Sequence, residues 1–172
     1  KALEYFEEVL KIRLSVYGEN HSRVASVYND IGEIYSVQGD DFKALDYFKK
    51  SLKIVLSVYG ENHSQVSSIY DHIGEIYFAQ KDYSKALYYF EESLKIRLSL
   101  FGENHPEVAL SYYSIGSLYI IQGDKSKALN YYEKSLKIRL SVYGENHPLT
   151  KEIMDLINVA NSKVLQSPET TK

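Results

Sequence analysis

The sequence predicts an all-α protein built from antiparallel helical hairpins, and two features of the chain carry that expectation. The segment GENH begins at Gly18, Gly60, Gly102 and Gly144, each 42 residues after the last, and the triplet KAL keeps the same step at Lys1, Lys43, Lys85 and Lys127. Two independent markers on one period define an internal repeat. Between them, apolar residues recur at steps of three and four, the mark of one face of a helix.

From Ser64 to Gln80 that face is Val66, Ile69, Tyr70, Ile73, Ile76 and Tyr77, which defines the first helix of a hairpin, helix A. After the polar turn at Lys81 and Asp82, the residues Ala86, Leu87, Phe90, Leu94, Leu98 and Phe101 define helix B. Gly102 follows the last apolar residue, where a left-handed glycine commonly ends a helix. Pro106 and Pro148 stand four residues after their glycines, at a first helical turn where a missing N–H does no harm. GENH is therefore a helix stop followed by a helix start, with Asn or His capping the next helix.

The chain reads as one helix B, three A–B pairs and a closing helix A over about residues 149–165. The closing helix keeps Ile153, Met154, Leu156, Ile157, Ala160 and Val164, but Asn158 and Asn161 replace the Gly and Tyr of earlier repeats, as expected of a cap. A lone hairpin cannot cover both of its apolar faces, so each pair stacks on the next. The expected organisation is one repeat domain over 1–165 and a loose tail over 166–172.

With 44% hydrophobic and 25% charged residues, the 172-residue chain has enough apolar material to fold. Twenty Lys and Arg against 23 Asp and Glu give a net charge of −3, so no global attraction draws it to nucleic acid or to an anionic membrane. No apolar run approaches the roughly 20 residues of a membrane span. The absence of cysteine removes disulfides, thiol catalysis and thiolate metal sites, and favours a reducing compartment such as the cytoplasm. Lys1 stands in the middle of a helical pattern without an initiator Met or a signal peptide, and a longer parent protein is expected.

Four GENH histidines in register suggest a metal ladder, but neighbouring helices pack roughly 8 to 10 Å apart while a zinc ligand sits about 2 Å from its ion. No metal site is expected. Lys11, Lys53, Lys95 and Lys137 line one side of helix B, with Glu7, Glu91 and Glu133 each four residues before one of them, so a solvated ion-paired face is expected in preference to a phosphate track. Asn20 and Asn62 match the glycosylation acceptor pattern, which Pro106 and Pro148 break in later repeats. The 17 tyrosines could stack on bases, but Tyr35, Tyr77 and Tyr119 fall on the core face, where packing explains them. No nucleophile with a positioned base, close carboxylate pair or glycine-rich phosphate loop is present, and neither enzymatic activity nor a cofactor is expected.

Several positions recur together in three registers: Tyr28, Ile31, Gly32, Tyr35, Ala44 and Phe48; Tyr70, Ile73, Gly74, Tyr77, Ala86 and Phe90; Tyr112, Ile115, Gly116, Tyr119, Ala128 and Tyr132. This set resembles the tetratricopeptide repeat and spans nearly the whole chain. The 42-residue period and the run KIRLSLFGENHPEVA at 95–109 look like the longer repeats of kinesin light chains, with the residues beyond the family's usual 34 extending helix B by roughly 12 Å. The resemblance implies a right-handed α-α superhelix that holds a peptide or partner protein in a concave groove.

In tetratricopeptide proteins the groove is lined by the face of helix A opposite its core residues. Carried onto this chain, that face is Ser26, Asn29, Glu33 and Ser36; Ser68, Asp71, Glu75 and Phe78; Leu110, Tyr113, Ser117 and Ile120. Chaperone-binding members grip a carboxylate with Lys and Arg at such places, and this face has none. Kinesin light chains share a paired-Asn run of which only Asn29 survives here, so their cargo preference does not transfer. The expected partner is a segment with a basic residue near one end and apolar anchors near the other, and charge reversal of Glu33, Asp71 and Glu75 tests that placement. A different class of function is end-to-end self-association into a homo-oligomer through the N-terminal helix B, whose Leu3, Phe6, Leu10 and Leu14 would lack a covering helix A.

Overall fold

A computed structural model of the protein describes residues 1–162, and the regular elements among them are all α-helices. In chain order they are α1 (Ala2–Tyr17), α2 (Ser22–Val37), α3 (Asp41–Tyr59), α4 (Ser64–Ala79), α5 (Tyr83–Phe101), α6 (Pro106–Ile121), α7 (Lys125–Tyr143) and α8 (Pro148–Ser162). Even-numbered helices are the A helices of the repeat and odd-numbered ones the B helices. The all-α class and the alternation of the two helix types are those the period predicts. Helix B does outrun helix A, by 19 residues to 16 in α3 and α2. Val164 and the tail expected at 166–172 lie outside the described residues.

The chain forms two compact units, Lys1–Leu100 and the part from Phe101 on. In the first, Gly32 meets Phe48 while Ala25 accepts a 2.8 Å hydrogen bond from the Ser51 hydroxyl. Numbers fall along α2 as they rise along α3, so the two helices run antiparallel. Gly74 against Phe90 repeats the arrangement in α4 and α5. In the second unit, Gly116 meets Tyr132, and the Ser135 hydroxyl donates to the Ala109 carbonyl at 2.7 Å.

Close helix approach explains the three glycines. A Cβ on Gly32, Gly74 or Gly116 would stand 2.7 to 2.8 Å from the aromatic ring of the facing helix, inside van der Waals contact. Around these contacts the first unit buries Val24, Val27, Ile31 and Val66 completely, and the second buries Val108, Ile115, Leu118 and Ile153 completely. Each such side chain contributes about 1.5 to 3 kcal/mol.

The A-to-B turn is the same small device three times. The Asp40 N–H donates to the Tyr35 carbonyl and the Gly39 N–H to the Ser36 carbonyl, the paired bonds of a Schellman ending. Asp40 then caps α3, accepting from the Lys43 N–H at 3.2 Å, and its other oxygen lies 2.8 Å from the Lys43 ammonium. That ammonium also sits 4.8 Å from the centre of the Tyr35 ring, which stacks on Tyr47. Asp82, Lys85 and Tyr77 repeat the set, as do Asp124, Lys127 and Tyr119. The left-handed corner is Gly39 and Gly123 in two of the turns but Lys81, φ 63°, in the third.

The B-to-A junction departs from expectation in one respect. Gly18, Gly60 and Gly144 have φ of 76 to 80°, but their ψ values of 173, −176 and 170° are extended rather than left-handed helical. That region is open essentially to glycine alone. Three residues on, histidine rather than asparagine caps the next helix: Nδ1 of His21, His63, His105 and His147 accepts the N–H of the second following residue at 3.1 to 3.2 Å. Each imidazole also stacks on the aromatic that ends the preceding helix, with centroids 4.2 to 4.6 Å apart. The histidines are structural caps, and among the described residues no three metal-ligating side chains converge.

Two further expectations are corrected. Lys95 pairs with Glu92 at 3.7 Å rather than with Glu91 four residues before it. Leu3, Phe6, Leu10 and Leu14 are not uncovered: they are half-buried against the core of the first unit, and the exposed apolar side chains of α1 are Tyr5, Ile12 and Val16. The 3.6-residue turn of the helix puts the two sets on different faces of α1.

Candidate functional site

The A helices bury one face in the core, so the polar residues on the other are the candidates for binding. In the first unit, α2 and α4 bring Asn29, Glu33, Asp71 and Glu75 onto that face. The Asn29 amide donates to Glu33 Oε1 at 2.6 Å, and its carbonyl oxygen lies 3.3 Å from Nδ1 of His72. His72 Nε2 is 3.8 Å from the Glu33 carboxylate, and its ring rests on Phe48. Glu33 stays exposed within this network, as does Glu75. Phe78 is half-buried and meets Tyr83 edge-on, while Ser36 is half-buried.

Asp71 is different in kind. Its carboxylate lies 2.7 Å from the guanidinium of Arg97, and the two side chains are 18% and 5% exposed. Burial pushes the Asp71 carboxyl up, although the adjacent Arg97 pulls it down. This acid joins helix A to helix B.

In the second unit, the Tyr113 hydroxyl donates to Glu152 Oε1 at 3.1 Å, and its ring lies under Arg139 at 5.0 Å. Ser117 accepts the Tyr132 hydroxyl at 3.2 Å. Tyr113 and Ser117 therefore tie the helices of the unit to one another. Leu110 and Ile120 are exposed on the same helix.

Arg97 and Arg139 are each 4% exposed and went unassigned in the sequence, although the repeated KIRLS run contains them. They share a register with Arg13. The Arg13 guanidinium donates to the Arg23 carbonyl at 2.6 Å and to Ser26 Oγ at 3.0 Å. Arg139 donates to the Leu149 carbonyl at 2.6 Å and to Glu152 at 3.4 Å. In both, an arginine of helix B donates to a carbonyl in the first turn of the next helix A and so ties the two helices together. The second step of the register holds Val55 instead.

Hairpins of this geometry, with small residues where the two helices touch and a variable polar face on helix A, define a helical-repeat protein. A family model for the tetratricopeptide repeat matches residues 1–57, 23–99 and 65–141, and the chain belongs to that family. Repeats of this family generally serve as scaffolds for protein interaction and are typically non-catalytic. The crystal structure of BtubC (BKLC) from P. vanneervenii is similar over 98% of this chain and 75% of its own, at 19% identity and a TM-score of 0.77. A kinesin light chain-like protein of P. anserina with nearly identical TPR-like repeats is similar at 15% identity and a TM-score of 0.71, over 96% of this chain and 88% of its own. The N-terminal domain of stress-induced protein-1 from C. elegans is similar over 81% of this chain and 96% of its own, at 17% identity and a TM-score of 0.61. At these identities the likeness is one of fold. No curated protein sequence matches the chain.

Proposed function

We propose that the protein is a scaffold that holds a peptide or a partner protein on the exposed face of its A helices. The supporting observation is the contrast between the two faces of these helices, one sealed in the core and the other carrying groups exposed to solvent. On the first unit those groups are acidic, Glu33 and Glu75. On the second they are apolar, Leu110 and Ile120, 45% and 37% exposed. Basic residues of a partner match the first set, and apolar residues match the second.

The test begins with peptides selected from a random display library and measured by fluorescence anisotropy. Basic peptides are expected to bind, and the Glu33→Lys, Glu75→Lys double variant is expected to lose them. Equal affinity of wild type and variant at low salt overturns the placement. Asp71 is left out of the test because its reversal would break the pair with Arg97.

A second reading is self-association through α1, favoured by Tyr5, Ile12 and Val16, each 63 to 64% exposed. Sedimentation equilibrium distinguishes it: a concentration-dependent dimer that Ile12→Ser and Val16→Ser abolish supports the reading, and a monomer at high concentration removes it.

A further inference from the structure

The arginine register of the B helices runs Arg13, Val55, Arg97, Arg139. Its three guanidinium groups have a recurring set of partners at fixed sequence offsets. Ten residues ahead stands the residue whose carbonyl accepts, Arg23 for Arg13 and Leu149 for Arg139. Thirteen ahead is a side-chain acceptor, Ser26 or Glu152. Twenty-six behind is a group on the paired helix A, Asp71 for Arg97 and the ring of Tyr113 for Arg139.

At Val55 the same offsets give Gln65, Ser68 and Asn29. All three line one cavity of about 110 Å³, together with Val55, Ser26 and Asp30. Val55 is 1% exposed, whereas Ser68 is exposed and Ser26, Asn29 and Asp30 are half-buried, so the cavity has an apolar base and a polar rim that solvent reaches. The Gln65 Oε1 atom is buried without a hydrogen-bond partner, which costs about 1 to 3 kcal/mol. Burial pushes the Asp30 carboxyl up, the nearby Glu33 adds to this, and Arg13 only partly offsets them. A water takes about 30 Å³ in the liquid, so the space has the size of a small planar group rather than of a single water.

We propose that this cavity between α2, α3 and α4 receives an arginine side chain from a partner, the guest guanidinium taking the place that Arg13, Arg97 and Arg139 take at their own steps of the register. The planar fork presents five N–H donors to the acceptors of Gln65, Ser68, Asn29 and Asp30. An ammonium is a compact, strongly hydrated charge with three donors and matches the set less well. Ser26, Asn29 and Ser68 belong to the exposed A-helix face, so the pocket rests on the reading of that face as the docking surface and specifies its basic anchor as arginine.

The experiment is an amide ¹H–¹⁵N titration of the 172-residue chain with N-acetylarginine methylamide, and with the lysine analogue as comparison. Arginine is expected to produce saturable shifts at Ser26, Asp30, Gln65 and Ser68, with lysine weaker by about tenfold, the equivalent of one good hydrogen bond. Val55→Arg fills the cavity from within; it is expected to abolish the arginine shifts and raise Tm. Asp30→Asn keeps the fold and is expected to weaken arginine severalfold. Equal shifts from arginine and lysine, no saturation with arginine, or full arginine binding by Val55→Arg overturns the proposal. Arginine binding that persists while selected peptides ignore Glu33→Lys and Glu75→Lys leaves the pocket standing and sinks the wider docking reading.

Discussion

The guanidinium of Arg97 grips the carboxylate of Asp71 at 2.7 Å across the hairpin of α4 and α5, nearly out of reach of water. Breaking such a pair from one side leaves a charge in a low-dielectric place, whereas replacing both members with apolar residues is often neutral. Asp71→Ala is expected to lower the unfolding free energy by about 3 kcal/mol in urea. The double variant Asp71→Leu, Arg97→Leu should recover most of that loss. Wild-type stability of the single variant would show that the pair holds nothing together.

Gly74 faces Phe90 with no room for a methyl group, since an added Cβ would lie 2.8 Å from the ring. Gly74→Ala is expected to destabilise by about 1 to 3 kcal/mol through overpacking. Coupling identifies the cause: in a Phe90→Leu background the same substitution should cost measurably less in the same urea titration.

Lys81 is the one non-glycine residue with positive φ among those described, at 63°. Gly39 and Gly123 hold the matching corners without steric cost. Lys81→Gly should therefore stabilise the protein by about 1 kcal/mol, seen as a higher Tm by calorimetry. A lower Tm would mean that the Lys81 side chain makes a contact worth more than the backbone strain.

The helix caps Asp40, Asp82 and Asp124 give a pH dependence with a definite sign. A hydrogen bond from the Lys43 side chain holds Asp40 below the ordinary carboxylate range; the Lys85 side chain does the same for Asp82, and the Lys127 backbone N–H for Asp124. A depressed folded-state value means the contribution is complete above the unfolded value of about 3.9 and fades as pH falls through the folded one. Tm should therefore drop on acidification below about pH 4, and the triple Asp→Asn variant should show a shallower drop over that window. Equal slopes for both proteins would remove these caps as the source.

The repeat made much of this architecture legible before any coordinates. Spacing alone located α4 and α5 to within a residue or two, because each helix buries a face and a buried face must recur every 3.6 residues. The glycines at the helix contact and the aromatics opposite them recur for the same reason. Local chemistry was less decisive at the junctions: asparagine and histidine both suit an N-cap, and the stacking of each imidazole on the preceding Tyr or Phe selected histidine. Lys81 sits at a left-handed corner with nothing in its own residue type to announce it.

The polar face of helix A was legible as a face and not as a set of free groups. The family resemblance, with which the helical spacing agrees, grouped Asn29, Glu33, Asp71, Glu75 and Tyr113 on one face from the sequence. Whether such a group is available to a partner depends on what another helix places opposite it, and that is a property of three-dimensional packing. Arg97 arrives at Asp71 from 26 residues away and Glu152 at Tyr113 from 39, while Glu33 and Glu75 remain exposed. Helical spacing is a local property that one segment encodes by itself, whereas the solvation of a charge is set by every element that folds against it.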